Sequence, residues 1–468
     1  MTFSHVVSVG RWRSRPFLPL LAFFLFVACL WLLAPTAARA APSTFSVSAN
    51  KHYWLKDGVP FVPIGHNRYD VWNPNDPAND GLTVAAYIQR MAQNGCNVIR
   101  VWAEQGDQNT SGDFWLEYPA GVYRPTQEAR LDELFNACDT YGVYVMICPW
   151  DTYNIKNSFA NSAFNTANGG PCATPAEVIT SPAARTMIKN KLEYMYNRWG
   201  GHRSFFLWTF NEIDILNTSS AAQVDFARDI GGFLKSIDPY HPFTVSFTGS
   251  GAGNPDVVKL PQVDGADIHF YGAISGTGGV AKEDETANTR DGGYMNMGKP
   301  IVLSEWGVSR QANSNDMVNA IAWGGVAIGT SGAGLVWTDK YTYGGFTGDH
   351  YAIMRNLRTF SDLVNWAGFM DNHHASSTEV TDNVTAINTY ACMNRSQAIV
   401  LVVHNRVGSS TAATVTISGL NPGTYTVDFW RTYGGGKHSS ITKTTDAQGK
   451  LVIQTPTIPT MQCLYVHL

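Results

Sequence analysis

Phe205-Phe206-Leu207-Trp208-Thr209-Phe210 is an apolar run without strict polar alternation, and it ends on Asn211-Glu212. Ile301-Val302-Leu303-Ser304 has the same texture and ends on Glu305-Trp306-Gly307. Short runs of this kind are the signature of parallel strands buried on both faces. Six more occur, at Phe61–Gly65, Asn97–Trp102, Val143–Cys148, Phe243–Phe247, Ala266–Tyr271 and Gly334–Trp337. Helical patterns separate most of them, over Leu82–Asn94, Gln127–Tyr141, Arg185–Trp199, Ala221–Ile237 and Asp316–Gly329. The interval between Phe247 and Ala266 is short and poorly helical, and Tyr351–Trp366 reads as a last helix. Eight strand–helix units in succession predict an α/β fold, a closed (β/α)8 TIM barrel, over residues 41–370. A hairpin at His52–Pro60 is expected to close its bottom.

Beyond the barrel the texture changes. Asp371–Thr378 is polar and reads as a linker. Strand patterns follow at Thr385–Thr389, Ala398–His404, Ala413–Ile417, Gly423–Trp430, Leu451–Gln454 and Gln462–Leu468, punctuated by Asn421-Pro422-Gly423 and Gly434-Gly435-Gly436. They predict a small antiparallel β-sandwich over residues 376–468.

At the other end, Arg11, Arg13 and Arg15 precede an apolar stretch from Phe17 to Leu33, and Ala38-Arg39-Ala40 supplies small residues for cleavage. Residues 1–40 therefore read as a signal peptide, with a retained membrane anchor as the alternative. Either reading places the remainder outside the cytoplasm, as a secreted or extracellular protein, with membrane contact only if the segment stays uncleaved. Export permits disulfides. After Cys29, six cysteines remain; Cys392 with Cys463 and Cys148 with Cys172 are candidate pairs, while Cys96 and Cys138 read as buried thiols. None has zinc-type spacing, so no metal or other cofactor is expected. A net charge of −4 gives no reason to expect a nucleic-acid partner. A monomer is expected.

In such barrels the chemistry sits at the C-terminal ends of the strands. Glu212 and Glu305 end the fourth and seventh runs, on opposite sides of the mouth. Two carboxylates facing one another are what glycoside hydrolysis requires, one to donate a proton and one to act as nucleophile or base. Arg100 lies inside the second run, where a charge needs a partner, and Glu305 is the candidate. His269 and Tyr271 share one face of the sixth run. Tyr271 is placed to donate to Glu305, His269 to line the sugar site, and Trp337 to form a floor for the reacting sugar. Asn67, Trp102 and Trp150 are further candidates for substrate contact. Tyr69, Trp72, Trp115, Tyr118 and Tyr153 add aromatics to the same loops, and Asp151 is a further candidate for a sugar hydroxyl.

Arg100, Asn211-Glu212, His269-x-Tyr271, Glu305 and Trp337, in that order, resemble glycoside hydrolase clan A, most closely family 5. The resemblance implies that Glu212 is the acid/base, Glu305 the nucleophile, and Asn211 the ligand of the sugar 2-hydroxyl. It implies a retaining double displacement. Ile213-Asp214 departs from the proline that often follows Asn-Glu in that family. Val101-Trp102-Ala103 and Pro119-Ala120-Gly121-Val122-Tyr123 are similar to segments of β-mannanases and related β-1,4-glycanases. The expected substrate is thus a β-linked glycan of the mannan or β-1,4-glucan type. The rival readings are another clan A specificity, exo-acting or otherwise, and a catalytically silent carbohydrate-binding barrel at the cell surface. The silent barrel would be expected to lack one of the two carboxylates.

Overall fold

The barrel is entered through a small antiparallel sheet of β1 (Phe45–Val47), β2 (Trp54–Lys56) and β3 (Val59–Phe61). The molecule is represented by a computed structural model that describes residues 41–468 apart from 74–78, 106–113, 249–252, 272–296, 308–311, 340–343, 405–409 and 459, together with 1, 2, 4 and 5. The expected signal peptide lies almost wholly outside the described residues. Phe45, Trp54 and Phe61 pack on Val98, Met146, Phe206 and Leu207, so this sheet plugs the barrel floor. Phe61 and Phe206 meet edge to face at 5.1 Å.

The barrel strands are β4 (Gly65–Asn67), β5 (Val98–Trp102), β6 (Tyr144–Cys148), β7 (Phe205–Phe210), β8 (Phe243–Phe247), β9 (Gly265–Tyr271), β10 (Ile301–Gly307) and β11 (Val336–Trp337). Each pairs in parallel with the next, and β11 returns to β4. The architecture is a (β/α)8 barrel. One strand differs from expectation. The run Phe61–Gly65 is split, with Phe61 in the floor sheet and the barrel strand beginning at Gly65. Pro63 has no N–H for a ladder. Gly65 is required where β4 meets β5, because a Cβ there would lie 1.9 Å from the Val98 carbonyl oxygen.

The helices show why the sequence pattern was readable. Val84–Gln93 buries Val84, Tyr87, Ile88 and Met91, and Thr83 caps its start by accepting from the Ala86 N–H. Pro125–Tyr141 starts on proline and stops at Gly142, which adopts φ 72°. Among the described residues no helix is long and apolar enough to cross a membrane.

Residues 41–468 form a single compact unit. Its C-terminal part has two sheets. The larger has the order β12-β14-β15-β20-β17-β18, from β12 (His373–His374), β14 (Ile387–Met393), β15 (Gln397–His404), β17 (Thr424–Arg431), β18 (Lys437–Thr444) and β20 (Met461–His467). The smaller is β13-β16-β19, from β13 (Val380–Asp382), β16 (Thr414–Ile417) and β19 (Leu451–Gln454). The polar stretch read as a linker contributes β12, paired with β14. β15 explains its own composition: Val400 and Val402 point into the sandwich, while Ile399, Leu401 and Val403 point into the barrel core. Trp430 meets Phe360 of the last helix edge to face at 5.4 Å, and Asn319 donates to Thr432 Oγ1 at 2.9 Å. The larger sheet is thereby a wall of the barrel's helical layer.

The candidate disulfides do not form. All six cysteines from Cys96 onward are buried thiols. Cys148 faces the barrel mouth beside Trp337, whereas Cys172 lies in the outer core, and β15 separates the strands of Cys392 and Cys463. Thiol titration of denatured protein cut at Ala41, without reductant, is expected to count six groups. The melting temperature of the native protein is expected to be unchanged by dithiothreitol.

Candidate active site

β5 brings Arg100 into the barrel axis, where it is fully buried. A guanidinium in such a place must be surrounded by acceptors. Its Nη1 donates to Glu305 Oε1 at 2.5 Å and its Nη2 to Asn211 Oδ1 at 2.6 Å. The two prongs of the fork thus tie the ends of β7 and β10 together.

Glu305 is 3% exposed and is the fifth residue of β10. The pairing of β10 with β9 slips between Leu303 and Glu305, a bulge that re-aims the side chain toward the axis. Tyr271 donates to Glu305 Oε2 at 2.7 Å, and His269 Nδ1 stands 3.4 Å from the same oxygen. Burial pushes the Glu305 carboxyl up from its ordinary value, while His269, Arg100 and the Tyr271 hydrogen bond oppose that push.

Glu212 follows β7 in a left-handed conformation, φ 39° and ψ 55°. Such backbone costs about 1–2 kcal/mol in a non-glycine residue and is held here by neighbours. Its N–H donates to Ser246 Oγ at 3.1 Å, and Ser246 in turn donates to the Phe210 carbonyl at 3.2 Å. The Glu212 carboxyl is pushed up to about 7, first by burial and next by the negative charge of Asp214. Arg100 and Lys156 act in the opposite direction, and Glu212 in turn pushes the Glu305 carboxyl up. Asp214 is anchored by Thr248, whose hydroxyl donates to it at 2.6 Å.

His269 lies between the two glutamates, its Nδ1 2.9 Å from Glu212 Oε1. One donor atom from each of Glu212, His269 and Glu305 falls within 4.8 Å of the others. Arg100, Asn211, Glu212, His269, Tyr271 and Glu305 are therefore one cluster, as the sequence pattern anticipated.

The aromatic candidates divide. Tyr69, Trp102 and Trp337 form one group at the mouth with Cys148 and Tyr271. Tyr69 stacks on Trp337 at 4.9 Å with the rings 6° apart, and Trp102 leans on both. Trp150 is placed elsewhere. It is 1% exposed, packed at 4.5 Å on Phe210 outside the barrel wall, so the expected substrate contact is corrected to core packing. Asn67 is also corrected: it is fully buried, and its amide donates to the Ser304 carbonyl at 3.2 Å, tying β4 to β10. Asp151 caps the helix Thr152–Asn157 by accepting from the Asn154 N–H at 3.1 Å. Trp72 and Trp115 are core residues as well, and Tyr153 is exposed.

One acidic group was missed. Asp267 lies on the inward face of β9, two residues before His269, and accepts hydrogen bonds from Thr209, Thr244 and Ser304. The signal was available: a carboxylate inside an apolar strand calls for partners as much as Arg100 does.

Residues 57–337 match the cellulase family, glycosyl hydrolase family 5. That is more than half of the chain. The chain belongs to glycosyl hydrolase family 5. This family 5 protein is a glycoside hydrolase, and solved structures share its fold. A family 5 glycoside hydrolase from Bacteroides vulgatus superposes with a TM-score of 0.61 at 12% identity, over 91% of this chain and 93% of that one. An endo-1,4-β-D-mannanase from Thermotoga petrophila gives 0.52 at 15% identity, over 64% of this chain and all of that one. A family 30 xylanase from Clostridium acetobutylicum gives 0.51 at 13% identity, over 91% of this chain and all of that one. At these identities the likeness concerns the fold alone. No curated protein sequence matches the chain.

Proposed function

We propose that this family 5 hydrolase cleaves β-linked glycans of the mannan or β-1,4-glucan class with net retention, using Glu305 as nucleophile and Glu212 as acid/base. The observation that carries the reading is the approach of the two carboxyls, an oxygen of each lying within 4.8 Å of the other beside His269. Retaining hydrolysis needs carboxyls about 5–5.5 Å apart, and inverting hydrolysis about 6.5–9.5 Å to admit a water.

The roles follow from the environments. Arg100 and Tyr271 hold Glu305 with two charge-assisted hydrogen bonds that favour its ionised form. Glu212 retains its proton toward neutral pH and so can donate it. In the first step Glu305 attacks the anomeric carbon while the Glu212 proton passes to the leaving oxygen. In the second, Glu212 as carboxylate takes a proton from water, whose oxygen displaces Glu305. Arg100 only donates, so the oxygen of the Asn211 amide must face it, which leaves the amide NH2 for a sugar hydroxyl. Trp337, with Tyr69 stacked on it, offers an apolar surface for the C–H face of a sugar ring.

The substrate class rests on Val101-Trp102-Ala103 and Pro119-Ala120-Gly121-Val122-Tyr123, which are similar to segments of β-mannanases and related β-1,4-glycanases. Residues 1–40 are proposed to direct export, with the mature chain beginning at Ala41.

Reducing-sugar release from galactomannan, glucomannan, carboxymethyl-cellulose, mixed-linkage glucan, β-1,3-glucan and xylan tests the proposal. Cleavage of a mannan or β-1,4-glucan supports it. Cleavage of xylan or β-1,3-glucan alone moves the specificity, and binding without cleavage of any polymer favours the silent barrel. The pH dependence is a separate prediction. kcat/KM is expected to fall as pH rises through about 7, where Glu212 loses the proton it must donate. It is also expected to fall in acid, as Glu305 becomes protonated. A profile flat from pH 6 to 9 would contradict the assignment of Glu212.

A further inference from the structure

Below the two glutamates lies a carboxylate that the reaction does not touch. Asp267 is 3% exposed, inside the barrel. Three hydroxyls from three strands donate to it: Thr209 of β7, Thr244 of β8 at 3.2 Å, and Ser304 of β10. Together they hold the carboxyl in place across β7, β8 and β10. Its Oδ1 is 3.9 Å from His269 Nε2, too far for a hydrogen bond but close for a charge.

His269 itself is fixed by what surrounds it. Arg100 Nη2 approaches Nε2 at 3.4 Å, and a guanidinium has no lone pair to offer. Nε2 must therefore accept, which puts the proton of the neutral imidazole on Nδ1, donating to Glu212 Oε1. Burial lowers the proton affinity of the imidazole, in keeping with a neutral ring. The charged groups acting on His269 are Glu305, Arg100, Asp267 and Asp214, with Glu212 in direct contact. Those acting on Asp267 include Arg100 and His269, and the Cys148 thiol lies in the same field.

We propose that Asp267 is a positioning residue for this reaction: a hydroxyl-clamped carboxylate that counterbalances Arg100 beneath His269 and so supports Glu212 as the proton donor. Arg100, joined by Lys156 at Glu212, draws the glutamates toward the ionised state, and Asp214 and Asp267 oppose that draw at Glu212. The Arg100 fork holds Glu305 directly, and the charge of Asp267, buried in the same low-dielectric interior, limits how far the Arg100 field reaches Glu212. The Asp267 charge thus opposes that of Arg100 at Glu212, the group that must donate. Asp267 touches no reacting atom, so it acts only through Arg100, His269 and Glu212.

The proposal rests on Glu212 being the acid, and the experiment separates the two ideas. kcat/KM on the best polysaccharide is measured from pH 4.5 to 9 for wild type, Asp267→Asn, the double variant Thr209→Val/Ser304→Ala, and Glu212→Gln, each with its melting temperature. Asp267→Asn is expected to move the alkaline limb down by on the order of one pH unit, about tenfold lower activity at pH 8 with little change near pH 5.5. The double variant keeps the carboxyl but removes two donors, so it is expected to shift the limb in the same direction by less, and it serves if Asp267→Asn does not fold. An alkaline limb unmoved in the folded variants overturns the proposal and leaves Asp267 a structural buttress. Full activity in Glu212→Gln overturns the acid assignment itself, whatever Asp267 does.

Discussion

Glu305→Gln is expected to reduce kcat by on the order of 10⁴-fold or more, in the range found when a residue central to a covalent mechanism is removed. The amide keeps the size of the carboxyl and an oxygen to accept from Arg100, so the fold should persist. What it loses is the electron pair that attacks the anomeric carbon. KM, or binding of an intact oligosaccharide measured by calorimetry, should change far less, because Trp337, Asn211 and Glu212 remain in place. A variant that retains even a tenth of wild-type kcat would remove Glu305 from the nucleophile's role. The counterpart Glu212→Gln should be milder on substrates whose leaving groups need no protonation, since general acid catalysis contributes roughly 10²–10⁴-fold.

Arg100→Met is the second large effect, and it falls on stability as well as activity. Arg100 is fully buried and bonded to Glu305 and Asn211, with Asp267 in its field. Removing one partner of a buried ion pair typically costs about 3–5 kcal/mol because the other charge is left uncompensated. Chemical denaturation should show a loss of that order at pH 7. The sign with pH is definite: without Arg100 the Glu305 carboxyl binds its proton more tightly, so the acid limb of kcat/KM moves to higher pH. Arg100→Lys should not restore wild-type behaviour, because an ammonium lacks the fork that reaches Glu305 and Asn211 together. An Arg100→Met protein as stable as wild type, with an unmoved acid limb, would contradict the electrostatic account of the site.

The barrel was legible because most of its strands are continuous apolar runs, and a run that stops on a charged residue marks the mouth. Arg100, Asn211, Glu212, His269, Tyr271 and Glu305 were found by that logic, and the structure gathers them. The places where reading failed share a cause. Trp150 and Asn67 lie at strand ends like the gathered residues, but the faces they present depend on a turn and on strand length, which residue types do not encode. Asp267 was passed over because its partners are hydroxyls from three separate strands, invisible without the barrel's closure. β18 went unpredicted because Lys437–Thr444 is an edge strand exposed along much of its length, with no apolar period to betray it. The cysteine pairs were open in sequence and closed by topology. β15 was predicted as a strand, but its burial on both faces follows only from the sandwich resting on the barrel.

The most direct test of the two-carboxylate account is the anomeric form of the first product. Hydrolysis followed by proton NMR from the first minutes, before mutarotation, reports whether the newly freed reducing end appears as β or α. Double displacement through Glu305 predicts that the β anomer appears first and the α anomer accumulates only by mutarotation. An α anomer formed first would mean a single displacement by water, and would contradict the assignment of Glu305 as nucleophile at this spacing.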